Sequence, residues 1–165
     1  MPVVLARIDD RLIHGQVTVG WSERLRPDRI ILASTAIAAD PWQCRVYASS
    51  VPPSIAVSVV SLARAAAALR APEAAAERVI VLTGTPGEMS DLAHLGAPLP
   101  SINLGGMHFG AGKVQMLPFV FVDRWDLDAM RRMLTAGLTL SAQQVPGGRE
   151  HSVGLEQVAD MESRL

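Results

Sequence analysis

The chain has 165 residues, 49% of them hydrophobic and 19% charged, which suits one domain with a sizeable apolar core. Its formal net charge of -1 argues against a nucleic-acid partner, because such a protein needs a basic face to displace counterions from phosphates. One cysteine, Cys44, excludes an internal disulfide, a zinc knuckle and an iron–sulfur site, and it fits a reducing cytoplasm.

Short β-branched runs alternate with helical patterns along the whole length. Val3–Ile8 reads as a buried strand, and Val17, Trp21 and Leu25 then form a helical stripe. Arg29–Ala33 is a second strand. Asp40-Pro41 opens a helix, with Asp as cap and Pro in the first turn. Ile55–Val60 is a third strand, and Ser61 caps an alanine-rich helix that Pro72 ends or interrupts. Val79–Leu82 is a fourth strand, followed by a helix whose start, Thr85-Pro86-Gly87-Glu88, has the form of a capping box. That helix stops near Gly96.

Ser101–Leu104 is a fifth strand and leads into a glycine-rich stretch, Gly105–Gly112. Phe119–Val122 is expected to extend the sheet, Asp126–Ala136 to form a helix closed by Gly137, and Thr139–Val145 to be the last strand. Residues 146–165 read as a loosely packed tail with a short final helix. Strands apolar on both faces and separated by helices imply a single α/β domain over residues 1–165. Its central sheet is mainly parallel, with helices on both faces.

The mean hydropathy of +0.25 raises the question of a membrane span. The charge-poor stretch from Val46 to Ala63 is broken by Pro52 and Pro53, whereas a span needs roughly 20 mostly apolar residues. The opening Met1-Pro2-Val3-Val4-Leu5-Ala6-Arg7 lacks the basic region and apolar run of a signal peptide. Both features predict a soluble, cytoplasmic protein.

In a parallel α/β sheet the working groups lie at the carboxyl ends of the strands. The first such end is Asp9-Asp10-Arg11-Leu12-Ile13-His14-Gly15-Gln16, with two acids, an arginine and a histidine in one short loop. The free N–H groups of the helix that follows favour an anion. Arg11 offers a guanidinium fork suited to phosphate oxygens, and Gly15 lets backbone approach whatever sits on His14. Phosphoryl transfer to and from His14 is the chemistry these groups suit. On residue types alone a structural reading stays open, with His14 capping a turn and Arg11 paired with Asp10.

Other readings find less support. Gly106 and Gly112-Lys113 resemble a phosphate-binding P-loop, but the spacing is one residue too long and Val114 replaces the Ser or Thr. The first strand–helix turn has no G-x-G-x-x-G, so a nicotinamide site is not expected. His14, His94, His108 and His151 share no ligand spacing, and no metal or cofactor is expected. Trp21 reads as core from its helical spacing, Trp42 is undecided, and Met130 and Met133 read as core.

Arg7-Ile8-Asp9-Asp10-Arg11-Leu12-Ile13-His14-Gly15-Gln16-Val17, followed by Trp21, resembles the N-terminal signature of the IIB domains of the mannose/fructose/sorbose family of bacterial sugar phosphotransferase systems. Val81-Leu82-Thr83-Gly84-Thr85-Pro86, Ile102-Asn103-Leu104-Gly105-Gly106-Met107, Lys113 and Phe121-Val122-Asp123 are similar to that family in the same order. The resemblance implies that His14 accepts a phosphoryl group from a phosphorylated IIA protein. His14 would then pass it to a sugar arriving through the membrane subunits IIC and IID, making the chain a protein-phosphohistidine–sugar phosphotransferase. Arg11 would stabilise the transferring group, and Asp10, Gly15, Gln16, Thr83, Gly84 and Thr85 would support the phosphate. Gly84 stands where many members carry a larger, often basic residue. The protein would work in the cytoplasm, at the inner face of the membrane through IIC and IID, and a homodimer is left open. A regulatory or docking module of the same fold is the alternative, and the presence of both Arg11 and His14 favours the carrier.

Overall fold

The computed structural model describes residues 3–165; the opening Met1-Pro2 of the N-terminal reading lies outside the described residues. Seven strands form the main sheet in the order β3-β2-β4-β1-β5-β8-β9. They are β1 (Val3–Ile8), β2 (Arg29–Ala33), β3 (Ala56–Val60), β4 (Val79–Thr83), β5 (Ile102–Leu104), β8 (Leu140–Ala142) and β9 (His151–Val153). All pairings are parallel except that of β8 with β9.

The all-apolar strands divide their side chains between two cores, as a period of two requires. In β4, Ile80 and Leu82 enter one cluster and Val79 and Val81 the other. The chain leaving β1 covers the first face with a π-helical turn, Gln16–Trp21, continued by α1 (Ser22–Leu25). Val17 and Trp21 bury into that cluster. The chain leaving β4 covers the opposite face with α5 (Pro86–His94), whose Met89 and Leu92 are fully buried. The two connections run to opposite sides of β1, towards β2 and towards β5. The adjacent carboxyl ends of β1 and β4 therefore flank the topological switch point, where such sheets bind ligands.

The expected capping residues hold their helices. Asp40 accepts from the Trp42 and Gln43 amides ahead of α3 (Pro41–Ala48), and Ser61 accepts from Arg64 in α4 (Leu62–Arg70). Pro72 opens a separate 3-10 turn, Pro72–Ala76. A short additional helix, α2 (Thr35–Ala38), is capped by Ser34. The box at Thr85 is only half formed. Thr85 Oγ1 accepts from Glu88 N at 3.1 Å, but the Glu88 carboxylate reaches one residue further back, to Gly84 N at 3.0 Å.

Three expectations need correction. Val120–Val122 (β7) does not extend the main sheet but pairs antiparallel with β6 (Val114–Leu117), joined to the rest by a bridge from Met107 to Val120. The turn between β6 and β7 is too short to carry the chain anywhere but back along its own partner. The strand expected over Thr139–Val145 is the shorter β8, ending at Ala142, and it is not the last, because β9 follows. Residues 146–165 are not loosely packed: β9 pairs with β8, and α7 (Leu155–Glu162) buries Val158 and Met161 in the core beside α6 (Arg124–Thr135). Two buried side chains three residues apart suffice to dock a helix of two turns. They were hard to see among polar neighbours. Among the described residues, no helix is long and apolar enough to cross a membrane.

Candidate active site at the carboxyl end of the first strand

The loop Asp9–Gly15 is stitched to both neighbours of β1 by its backbone. Asp9 N donates to Thr83 O at 3.0 Å, and Asp10 N donates to Gly106 O at 2.9 Å. A turn then closes with Leu12 N donating to Asp9 O at 2.9 Å, which places Leu12 at φ 60. A leucine seldom adopts that left-handed conformation, and such strain persists only where surroundings over-determine it. Here Leu12 and Ile13 are both buried in the core beneath the loop. Their anchoring turns Arg11 and His14 towards the open side.

His14 is 17% exposed, and its two ring nitrogens meet different environments. Nδ1 accepts a long hydrogen bond, 3.4 Å, from the amide of Gln16 in the first turn of the helix. Accepting there assigns the ring proton to Nε2. Nε2 lies 3.2 Å from Asp9 Oδ2. Its N–H direction misses the carboxylate, so Nε2 is buried in close charge contact with Asp9 but without an aligned hydrogen bond.

Asp9 is fully buried beneath two arginines. Arg7 donates to Oδ2 at 3.0 Å, and Arg11 donates from Nε to Oδ1 and from Nη2 to Oδ2, each at 3.2 Å. Burial, the largest influence on Asp9, would raise its pKa. Contacts with His14 and Arg11 and the charge of Arg7 outweigh it and hold the carboxyl well below the usual carboxylate range. Arg11 also donates to Gln16 Oε1 at 3.3 Å. Asp10 points away from this cluster and pairs with His108, whose backbone N donates at 2.7 Å and whose Nδ1 lies 2.5 Å from Oδ1. The expected structural pair of Arg11 with Asp10 is therefore replaced by Arg11 with Asp9.

The remaining expected positions lie along the same rim. Gly15 is exposed, and a Cβ there would meet nothing within 4 Å. Thr83 is buried with its hydroxyl donated to Thr85 O at 3.1 Å, the Gly84 amide is held by Glu88, and the Thr85 hydroxyl caps α5. Of these, Gln16 and Gly15 sit directly with His14 and Arg11. Thr83, Gly84 and Thr85 instead form the neighbouring wall, with their polar groups engaged by the protein. Trp42 is exposed on α3, whereas Trp21 is buried beneath Arg7, whose Cζ lies 5.3 Å from its ring centre.

Sequence reasoning missed Arg7, Asn103 and the reason for two adjacent glycines. Arg7 is fully buried and also donates to Asn103 Oδ1 at 2.5 Å and to the carbonyls of Gln143 and Gln144 at 2.9 Å. A Cβ on Gly105 would lie 2.2 Å from Arg7 Cζ, and one on Gly106 would lie 3.2 Å from both Arg11 Nη2 and Asp9 Oδ1. The Gly105-Gly106 pair thus makes room for the two guanidinium groups. The available signal was a lone arginine inside an apolar strand, since buried charges are almost always paired. The P-loop resemblance ends here: Lys113 is committed to Asp126 at 2.6 Å and Asp123 at 3.7 Å. Among the described residues, no group of His, Cys, Asp and Glu side chains is arranged to hold a metal ion. Gly105→Ala is expected to cost at least about 1–3 kcal/mol, because Arg7 is pinned and cannot yield. Urea denaturation of the variant checks this.

The family model described as the sorbose-subfamily IIB component of the phosphotransferase system matches residues 3–161. The chain belongs to that family. It is 38% identical over 145 residues to the sorbose-specific EIIB component of Lacticaseibacillus casei, covering 88% of each chain. It is 37% identical to the mannose-specific EIIAB component of Escherichia coli strain K12, again over 88% of this chain but only 45% of that longer protein. The crystal structure of the IIBSor domain of the sorbose permease from Klebsiella pneumoniae superposes with a TM-score of 0.87 at 34% identity, covering 97% of this chain and 98% of that one. As a IIB component of this family, the protein is of a transferase kind that takes part in sugar phosphotransfer.

Proposed function

We propose that this IIB component accepts a phosphoryl group on Nδ1 of His14 from a phosphorylated IIA protein. It then yields that group to a hydroxyl of a sugar carried by the IIC and IID membrane subunits. The observation that supports this most is the unequal setting of the two ring nitrogens. Nε2 faces the buried Asp9 carboxylate, while Nδ1 meets the Gln16 amide in the first turn of a helix, and Arg11 reaches the Gln16 side chain.

A histidine must be neutral to attack, since an imidazolium has no free lone pair. In the proposed step the Nδ1 lone pair forms a bond to phosphorus while the donor's P–N bond breaks and its electron pair returns to the donor ring. The Nε2 proton stays in place, and the ring becomes cationic next to Asp9. Amides at the helix start and Arg11 neutralise the equatorial oxygens. In the second step the sugar oxygen bonds to phosphorus, the P–Nδ1 electrons return to His14, which keeps its Nε2 proton, and the hydroxyl proton passes to water. The protein would act in the cytoplasm and meet its partners over the rim around His14.

Incubation with phosphorylated IIA, followed by mass spectrometry for an acid-labile phosphate on His14, tests the proposal. Binding without phosphate transfer would leave only a docking module. Arg11→Lys should fold normally yet transfer on the order of a hundredfold more slowly, because lysine keeps the charge but loses the fork. A rate within a few-fold of the parent, measured with labelled IIA, would make Arg11 a structural partner of Asp9 only.

A further inference from the structure

The two arginines on Asp9 are held very differently. Arg7 is fully buried, and its Nη atoms have partners at 2.5, 2.9, 2.9 and 3.0 Å on Asn103, two carbonyls and Asp9. Its guanidinium also rests on Trp21 and fills the space over Gly105. Nothing there can move without leaving buried polar groups unpaired. Arg11 is 35% exposed, and each of its side-chain hydrogen bonds, to Asp9 and Gln16, lies between 3.2 and 3.3 Å. That is beyond the usual 2.7–2.9 Å or so of charge-assisted bonds.

Asp9 therefore has more cations than one carboxylate needs. With Arg7 fixed, the withdrawal of Arg11 would still leave Asp9 with a permanent guanidinium and with the Nε2–H of His14. Were Arg7 absent, the departure of Arg11 would strip a buried carboxylate of its arginine. That is the costly event which breaks buried ion pairs.

We propose that Arg7 is a positioning residue, the fixed counter-ion of Asp9, which frees Arg11 to exchange Asp9 for the phosphoryl oxygens when His14 is phosphorylated. The inference rests on the proposed phosphorylation of His14. A phosphoryl group brings roughly two negative charges at neutral pH, more than the single carboxylate that Arg11 would leave. Asp9, kept ionised by Arg7, then faces the cationic ring through Nε2 and holds its orientation. The free and phosphorylated states would thus differ in one side chain, not in the loop backbone that Leu12 and Ile13 anchor.

Protein labelled with nitrogen-15 in arginine, before and after phosphorylation by phosphorylated IIA, provides the test. The Nε–H signals of Arg7 and Arg11 are assigned by substitution and followed by NMR, with a mass spectrum of the same sample. The expected result is a large shift for Arg11 and almost none for Arg7. In Arg7→Met the Arg11 shift should shrink markedly, and in Arg7→Lys, which restores a cation beside Asp9, it should return. If His14 carries phosphate but Arg11 does not shift, or Arg7 shifts as much as Arg11, the exchange is refuted while the carrier function stands. If Arg7→Met retains the full Arg11 shift, Arg7 has no such role. If no phosphate is found on His14, the carrier reading falls and the exchange falls with it. Should Arg7→Met fail to fold, the two signals of the parent protein still decide.

Discussion

His14→Ala is expected to accept no phosphate from phosphorylated IIA while keeping the parent fold. The side chain contributes little to the core, and the loop that carries it is held by the buried Leu12 and Ile13 and by backbone bonds to Thr83 and Gly106. Asp9 keeps both arginines when the imidazole is removed, so no buried charge is orphaned. The change in stability should therefore stay within about 1 kcal/mol. Labelled phosphate from IIA, read after base-stable, acid-labile separation, measures acceptance, and circular dichroism reports the fold. Labelled phosphohistidine recovered from another position of the variant would overturn the assignment of His14.

Asp9→Asn should act in the opposite sense, chiefly on stability. The amide leaves Arg7 buried without its carboxylate, and breaking a buried pair from one side costs about 3–5 kcal/mol. For a domain of this size each kcal/mol lowers Tm by roughly 2–4 °C, so calorimetry should record a fall on the order of ten degrees. The pH dependence has a definite sign. The folded pKa of Asp9 is depressed, so its stabilisation is fully present above the unfolded value of about 3.9. It is lost only as pH falls below that value towards the lower folded one. The parent and Asp9→Asn should thus differ most above about pH 4 and converge as acid is added. A difference independent of pH down to strongly acid solution would mean that the ionised carboxylate is not what stabilises the loop.

Much of the fold was legible because its signals are local. The caps at Asp40, Ser61 and Thr85 act on amides two or three residues away, and each stands at the start of a helix. The strands β1, β2 and β4 are short apolar runs, and burial on both faces leaves no other placement for them. The expected strand Phe119–Val122 was given the wrong sheet because a strand's partner is a tertiary fact: Val120–Val122 has the composition of a sheet strand whichever sheet it joins. The segment after residue 146 was misread because only Val158 and Met161 of its final helix reach the core.

By itself, the sequence determined the alternation of most strands and helices, the placement of His14 and Arg11 after the first strand, and the resemblance that suggested a phosphocarrier. Only the tertiary structure decided that Asp9 turns inward and Asp10 outward, and that Arg11 meets Asp9. It also decided that Arg7 is the buried centre of the site and that Gly105 and Gly106 exist to admit guanidinium groups. The physical reason is distance along the chain. A cap or a helical stripe is satisfied by near neighbours, but the partners of Arg7 on Asn103, Gln143 and Gln144 lie 96, 136 and 137 residues away. Whether a buried charge is compensated depends on which distant strand ends the fold brings together.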